Sequence, residues 1–475
     1  MALLVGLALL LSHVPARGDQ ALFELRIICP DTYDFRMDYT EMIVDEFAAV
    51  GISVTLDFVP MDEVTERCFG SDGKLHKDDG FDVAFFGWRI SKATDPRFMY
   101  VDGDTIYNIF HSDNSASNVE GDNCMSWENA GNDNLIDKIR EEKDEAKLKE
   151  YWMQWQELFH DEQPIAPIFH TYVEVEEEEC WIYEHISFNL NHPVLKKKLV
   201  RQALSHLVPR QKICNLHNRT EKNQRPDTLT SAEPCAVPVN PDHFAFNEDI
   251  NPYQYDPDLA KELLFRAGYK VKTKKHENAE SLLQQAENAF SAFEFQEALD
   301  LANQAKLLYE ELGDTESLSN VTGAVIPLYQ KAIGAETLLN EGTSLKDRGE
   351  YETAKQKLLE AKQTFEECGL TQKVSETELL ISEIDEILRK QSIIQEADSL
   401  FEQGKEAFEK ENYEAALDFF QRAKELYASV GSEKAAECDE WIEKTQTEME
   451  KPCLGTIFLA VLIGAGFLVS RRRFR

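Results

Sequence analysis

The stretch YDPDLAKELLFRAGY, residues 255–269, carries the signals that begin and end a short helix. The carboxylate of Asp256 can accept a hydrogen bond from a free backbone N–H of the first turn. Pro257 follows at the first helical position, where its missing N–H costs nothing. Gly268 can adopt the left-handed conformation that closes a helix. The stretch therefore predicts a surface helix of an α/β domain, with a buried stripe of Leu259, Leu263 and Leu264.

Three further stretches extend this pattern along the chain. LVRQALSHLVPRQKI, at 199–213, is helical in character. FDVAFFGW, at 81–88, is nearly continuous apolar sequence and predicts a strand buried on both faces; Asp95-Pro96 follow it. NLIDKIREEKDEAKLKEYWMQWQELFHDEQPIAPIFH, at 134–170, predicts helices and a closing strand. Its aromatic stripe has helical spacing, and we expect this stripe in a core: Leu148, Tyr151, Trp152, Trp155, Leu158 and Phe159.

Together the four stretches resemble segments of family 5 extracellular solute-binding proteins, the peptide-capturing components of ABC importers. They cover roughly residues 22–269, and the solute-binding-protein-like domain that they predict is residues 19–269. The resemblance implies an α/β fold class, a partial periplasmic-binding-protein type II fold. The segment order differs from that of the family, because the last family segments come first here, and the family's large N-terminal portion is not visible. One lobe could assemble from residues 186–269 and 22–88, since neighbouring elements need only meet in space; the other lobe would be incomplete.

Composition and motifs argue against several classes of function. The formal net charge of −37 excludes a nucleic-acid partner, because phosphate binding needs a basic face. The nine cysteines include no C-x-x-C pair, which argues against zinc. The sequence contains no P-loop, no H-E-x-x-H and no G-x-S-x-G motif. We therefore expect no enzymatic activity, no cofactor and no metal site.

The chain changes character after a charged linker at 270–279. From 280 to 450, eight positions recur 56 residues later and again after a further 62 residues. Small residues at these positions allow close helix packing, and aromatic residues fill the gaps. The spacing resembles that of tetratricopeptide repeats and predicts an all-α repeat domain; a generic helical bundle or coiled coil remains the alternative. The first copy consists of Leu282, Ala286, Ala289, Phe295, Ala298, Ala305, Tyr309 and Gly313.

Both ends of the chain have the character of targeting segments. Residues 1–18 contain an apolar run and a small-x-small pattern, which predicts a signal peptide; a buried strand or helix is the alternative. Residues 453–469 form 17 uncharged, mostly apolar positions that would span about 25 Å as a helix. They predict a C-terminal transmembrane helix with 470–475 as a cytoplasmic tail, and they also resemble archaeal C-terminal sorting signals. The predicted localisation is the cell membrane, single-pass, with the bulk extracellular.

The resemblance places a ligand site in the loop after FDVAFFGW. Ser91 stands where peptide-binding members carry an aspartate for the peptide's amino group. Arg89 and Lys92 make this loop basic, so we expect an anionic or neutral ligand, such as an acidic or capped peptide. The alternative is that these two cations are ordinary surface charges. The predicted ligand-binding residues are Phe86, Trp88, Arg89, Ser91 and Asp95.

Two functions follow from these patterns. The first is a membrane-anchored solute-binding component of an ABC-type peptide importer, with a small peptide or similar solute and ABC permease subunits as partners. The second is a scaffold or interaction protein whose tetratricopeptide-like repeats dock a partner protein. The missing lobe favours the second, because a cleft needs both walls to enclose a ligand.

Overall fold

The computed structural model describes residues 21–90, 105–116, 121–175, 178–224 and 231–451. Within these ranges the chain forms two compact units, one with residues up to 292 and 300–324, the other with 293–299 and 325–451. The strands β1 to β6 are Glu24–Pro30, Ser53–Val59, Val83–Ile90, Ile165–Val175, Glu178–Phe188 and Glu233–Pro234. The helices α1 to α8 are Asp34–Ala49, Met61–Phe69, Ile106–Phe110, Ala130–Glu141, Glu145–Glu162, Lys198–His206, Arg210–Gln224 and Pro257–Arg266. The helices α9 to α16 are Lys274–Ser291, Phe295–Leu312, Thr315–Asn320, Ile326–Asp347, Tyr351–Glu367, Thr371–Glu409, Tyr413–Ser429 and Lys434–Glu450.

The six strands form one mixed sheet in the order β2-β1-β3-β5-β4-β6. β1 pairs in parallel with β2 and β3, whereas β3–β5, β5–β4 and β4–β6 are antiparallel. Helices α1 and α2 follow β1 and β2, as parallel pairing requires crossover connections. The early strands and the late helices share one core, because Leu25 of β1 and Leu264 of α8 belong to the same buried cluster. Segments that are far apart in sequence thus form one hydrophobic core on this face of the sheet.

Side chains of β3 alternate between the two hydrophobic cores that lie on opposite faces of the sheet. Val83 and Phe85 are buried on the face that packs against α1, α6, α7 and α8. Ala84 and Phe86 are buried on the other face with the aromatic side chains of α5. Both faces of the strand are therefore covered, and its apolar run is explained by burial on both sides.

The helix predicted from residues 255–269 is present as α8. The Asp256 side chain accepts a hydrogen bond from the Leu259 backbone N–H at 2.9 Å. Gly268 has a φ of +96°, and its N–H and that of Tyr269 donate to the carbonyls of Phe265 and Leu264. These paired bonds satisfy the last carbonyls of the helix. Both the start and the end of α8 are thus fixed by local sequence.

The segment 199–213 forms α6 and the start of α7, and its Arg201 anchors the end of α5. Arg201 is only 2% exposed. Its Nε donates to the carbonyls of Glu162 and Gln163, and its Nη1 donates to those of Leu195 and Lys196. Nη2 donates to the Glu162 carbonyl at 2.6 Å and lies 3.4 Å from its carboxylate. All three nitrogens therefore have partners, and the side chain ties three chain segments together.

Close packing of helix pairs characterises the second unit. A Cβ atom on Gly342 would lie 2.7 Å from Leu358, and one on Gly404 would lie 2.7 Å from the Phe420 ring. The turn residues repeat at the predicted offsets of 56 and 62: Phe293, Gly349 and Glu411 are all left-handed, with φ of 67°, 79° and 60°. The repeat is thus visible in backbone conformation. The likeness to tetratricopeptide repeats remains a prediction, and the predicted linker at 270–279 is helical from Lys274 onward.

The predicted fold class and localisation need correction. No helix among the residues that the structure describes is long and apolar enough to cross a membrane. The longest, α14, has 39 residues and carries charged side chains along its whole length. The predicted signal peptide at 1–18 and the predicted segment at 453–469 lie outside the described residues. The predicted fold class with a C-terminal transmembrane helix is therefore wrong for the described helices. The single-pass membrane localisation that was derived from this helix is wrong for the same reason.

Candidate functional site

The end of β3 places Phe86 and Trp88 on one face of the sheet. Because side chains alternate along a strand, positions two apart share a face. Phe86 is 3% exposed and belongs to the core, whereas Trp88 is half-buried at the border of that core. Arg89 is exposed and alternates to the opposite face. The strand therefore brings Phe86 and Trp88 together and directs Arg89 away from them.

An aromatic wall, defined here as Phe69, Phe86 and Trp88, covers this face near the end of β3. The ring centroids lie 6.0 Å apart for Phe69–Phe86, 5.8 Å for Phe69–Trp88 and 6.1 Å for Phe86–Trp88. All three pairs are edge-to-face, a favourable arrangement worth about 0.5–1.5 kcal/mol beyond area burial. Phe86 is the buried member of the wall, and Phe69 and Trp88 are its partly exposed members.

His185 lies opposite Phe86 on β5 and is part of the support behind the wall. The two ring centroids are 4.6 Å apart. The His185 Nε2 is 3.0 Å from the Ser187 hydroxyl, and its Nδ1 has no hydrogen-bond partner among the described residues. Burial, with a smaller contribution from the charge of Arg36, lowers the pKa of His185 to about 3. The imidazole is therefore neutral at physiological pH, and sequence alone did not distinguish it from the other scattered histidines.

A buried ion pair locks α1 onto the other face of the sheet. Arg36 donates to both carboxylate oxygens of Glu184, with Nε–Oε2 at 3.0 Å and Nη2–Oε1 at 2.6 Å. The Tyr39 hydroxyl donates to the same carboxylate at 2.7 Å. Burial opposes the charge on Arg36, but Glu184, Tyr39 and Cys29 together outweigh it and raise the pKa of the guanidinium. Gly87 leaves room for the pair, because a Cβ there would lie 2.8 Å from Glu184 Oε1.

The predicted ligand residues thus have different surroundings. Phe86 is core, Trp88 borders the core, and Arg89 is exposed. Ser91 and Asp95 lie outside the described residues, so the predicted loop site remains a prediction. Across the described ranges, no group of three or more His, Cys, Asp or Glu side chains could hold a metal ion.

Comparison with protein families matches part of the chain to the middle part of bacterial extracellular solute-binding proteins, family 5. It covers residues 157–308, which include β4, β5 and the helices from α6 to α9. Comparisons with curated proteins and with solved structures gave no match. Proteins of this family are in general non-enzymatic and serve ABC importers. Residues 157–308 are therefore similar to family 5 solute-binding proteins, and this similarity supports a solute-binding role.

Proposed function

We propose that this chain captures a peptide-type solute for an ABC-type importer and that Trp88 contacts the ligand. The observation that carries the proposal is the match of residues 157–308 to family 5. β5, which lies within that segment, pairs with the whole length of β3, from Val83–Phe188 to Ile90–Trp181. The matched segment therefore supports the strand that carries the aromatic wall. Partly exposed aromatic surface beside polar groups is typical of small-molecule sites.

The ligand that fits this proposal lacks a free amino group at the site. Ser91 stands where peptide-binding members of the family carry an acid, and the cation Lys92 follows it directly, whereas Arg89 lies on the opposite face of β3 from Trp88. A positively charged amino terminus would gain no ion pair there, whereas a capped or acidic peptide avoids the repulsion. We expect N-acetylated peptides to bind more tightly than the same peptides with free amino groups.

Calorimetric titration of the full chain with both peptide pools tests the proposal. Trp88→Ala should weaken binding of the acetylated pool by about tenfold or more, because buried tryptophans are frequent hot spots. Trp441→Ala removes a similarly half-buried indole from the second, helical unit (residues 293–299 and 325–451) and serves as the matched control. Tight binding of free-amine peptides that survives Trp88→Ala would place the site elsewhere.

A second candidate is a scaffold that docks a partner protein through its helices. Two large apolar side chains of the helical unit, Leu359 on α13 and Leu379 on α14, are 47% and 66% exposed. Exposed apolar side chains are candidates for a protein contact when they form a patch. Absence of binding of any peptide pool, with loss of a defined complex in the Leu359→Asp/Leu379→Asp variant, would favour this function.

A further inference from the structure

A cavity of about 920 Å³ lies on the face of the sheet opposite the aromatic wall. It is lined by α1, by the start of α7 and by the segments around β6 and 252–255. Ala232 in its lining belongs to the core cluster of α1, α6, α7 and α8, whereas Phe86 belongs to the other core. The volume is in the range of small-molecule sites. The cavity is therefore separate from the site proposed above.

Arg210 lines this cavity and is only 4% exposed. Its Nε donates to the Pro167 carbonyl at 2.7 Å. Its Nη1 donates to the carbonyls of Ser205 at 2.8 Å and Tyr253 at 3.0 Å. A guanidinium has five N–H donors, so two remain on Nη2. In the part of the chain that the structure describes, Nη2 has no hydrogen-bond partner.

The positive charge of Arg210 also lacks a neighbouring carboxylate among the described residues. The groups that act on it electrostatically are Cys235, Cys214 and Tyr253, and burial lowers its pKa to about 10. Two acids line the same cavity, but neither is among these groups, and Glu46 already accepts the Tyr255 hydroxyl at 2.6 Å. A buried charge without an opposite partner is costly.

Arg201, nine residues earlier, shows the contrasting arrangement. It is equally buried, but all three of its nitrogens donate to carbonyl groups and its Nη2 also approaches the Glu162 carboxylate. Arg201 therefore has every nitrogen satisfied. Among the described residues Arg210 has neither a carboxylate partner nor a hydrogen-bond partner for Nη2, and it lines a cavity, and these three features together indicate a ligand rather than a structural contact.

We propose that Arg210 binds the carboxylate of a small acid in this cavity through the two N–H groups of Nη2. Charge-assisted bonds between a guanidinium and a carboxylate are short and strong, and the low exposure of Arg210 strengthens them. Lys212, an exposed cation in the same lining, adds to the attraction for an anion. The acid is either a free organic acid or the terminal carboxylate of a peptide, since both present the same group.

Calorimetric titration of the full chain with matched acids and amides tests this proposal. The probes are glutarate and glutaramide for a free acid, and N-acetyl-trialanine and its C-terminal amide for a peptide. We expect one or both acids to bind at least tenfold more tightly than the matching amide, and the acid that binds identifies the source of the carboxylate. Equal binding of acid and amide, or no binding of either acid, would overturn the proposal.

Two variants locate the binding. Arg210→Lys keeps the charge but cannot make all the bonds of the guanidinium, and it should abolish the preference for the acid. Gln254→Trp fills the cavity from an exposed position of its lining and leaves Arg210 intact, so it tests the site even if Arg210→Lys does not fold. The exposed Arg266→Lys is the matched control. If the preference survives Gln254→Trp, or is lost in Trp88→Ala but kept in Arg210→Lys, the proposed site is wrong.

Discussion

Replacing Gly404 by alanine tests how tightly the helix pairs of the second unit pack. A Cβ at this position would lie 2.7 Å from Cε1, 2.8 Å from Cδ1 and 3.1 Å from Cζ of Phe420. Carbon atoms normally approach to about 3.5 Å, so the ring must move by about 0.8 Å. The ring is fully buried, stacked on Trp441 at 5.4 Å and edge-on to Phe401 at 5.5 Å. It therefore cannot move without disturbing both neighbours.

The expected magnitude is a difference between two effects. Overpacking a well-packed contact costs about 1–3 kcal/mol, and replacing glycine by alanine inside a helix gains about 1 kcal/mol. The net change for Gly404→Ala should be a destabilisation of about 0–2 kcal/mol. Gly334 lies exposed in α12, and a Cβ there meets nothing within 4 Å. Gly334→Ala should therefore stabilise the unit by about 1 kcal/mol.

Urea unfolding of the full chain labelled with 5-fluorotryptophan measures these changes. Trp441 is the only tryptophan between 293 and 451, so its ¹⁹F resonance reports on the helical unit. This resonance should also shift in folded Gly404→Ala, because the displaced Phe420 ring is stacked on it, and should stay unchanged in Gly334→Ala. If Gly404→Ala were as stabilising as Gly334→Ala, the close approach between α14 and α15 would be refuted.

Three further perturbations test separate features of the chain. Glu411→Gly should stabilise the helical unit by about 1 kcal/mol in urea unfolding, because Glu411 has a φ of +60° that glycine adopts without strain. The control Lys410→Gly should not stabilise the unit, because Lys410 has an ordinary negative φ. Glu184→Gln should cost about 3–5 kcal/mol by leaving Arg36 buried without its partner, and the double variant with Arg36→Met should recover part of this loss. Burial lowers the pKa of His170 to about 4. Between pH 6.5 and 4 the histidine is therefore protonated in the unfolded chain and neutral in the folded chain. His170 should therefore contribute a fall in the free energy of unfolding of at most about 3 kcal/mol between pH 6.5 and 4, and His170→Gln should remove that contribution from the curve.

Features whose determinants are local in sequence were predictable. The capped helix at residues 255–269 is present with the expected N-cap and left-handed glycine. The stripe around Trp152 and Trp155 is core, with both indoles fully buried. In each case the period of the apolar positions and the capping residues lie within a few turns of one another, so no distant contact is needed to interpret them.

Features that depend on distant partners were not predictable. Arg36 and Glu184 are separated by 148 residues, and nothing near either one in sequence indicates the pair. In FDVAFFGW, Phe86 lies in the core and Trp88 at its border. Sequence shows that both share a face, but only the packing of α2 and β5 decides which one remains accessible.

The two arginines of LVRQALSHLVPRQKI show why a motif match alone does not assign roles. Both are almost fully buried, and burial lowers the pKa of each to about 10. Arg201 lies where the end of α5 presents several free carbonyls, so every nitrogen finds a backbone partner. Arg210 begins α7 beside a cavity, where backbone carbonyls reach only two of its three nitrogens. Two arginines of one motif thus differ in their hydrogen bonding: every nitrogen of Arg201 has a protein partner, whereas Nη2 of Arg210 has none among the described residues. The difference comes from the segments that fold against each side chain.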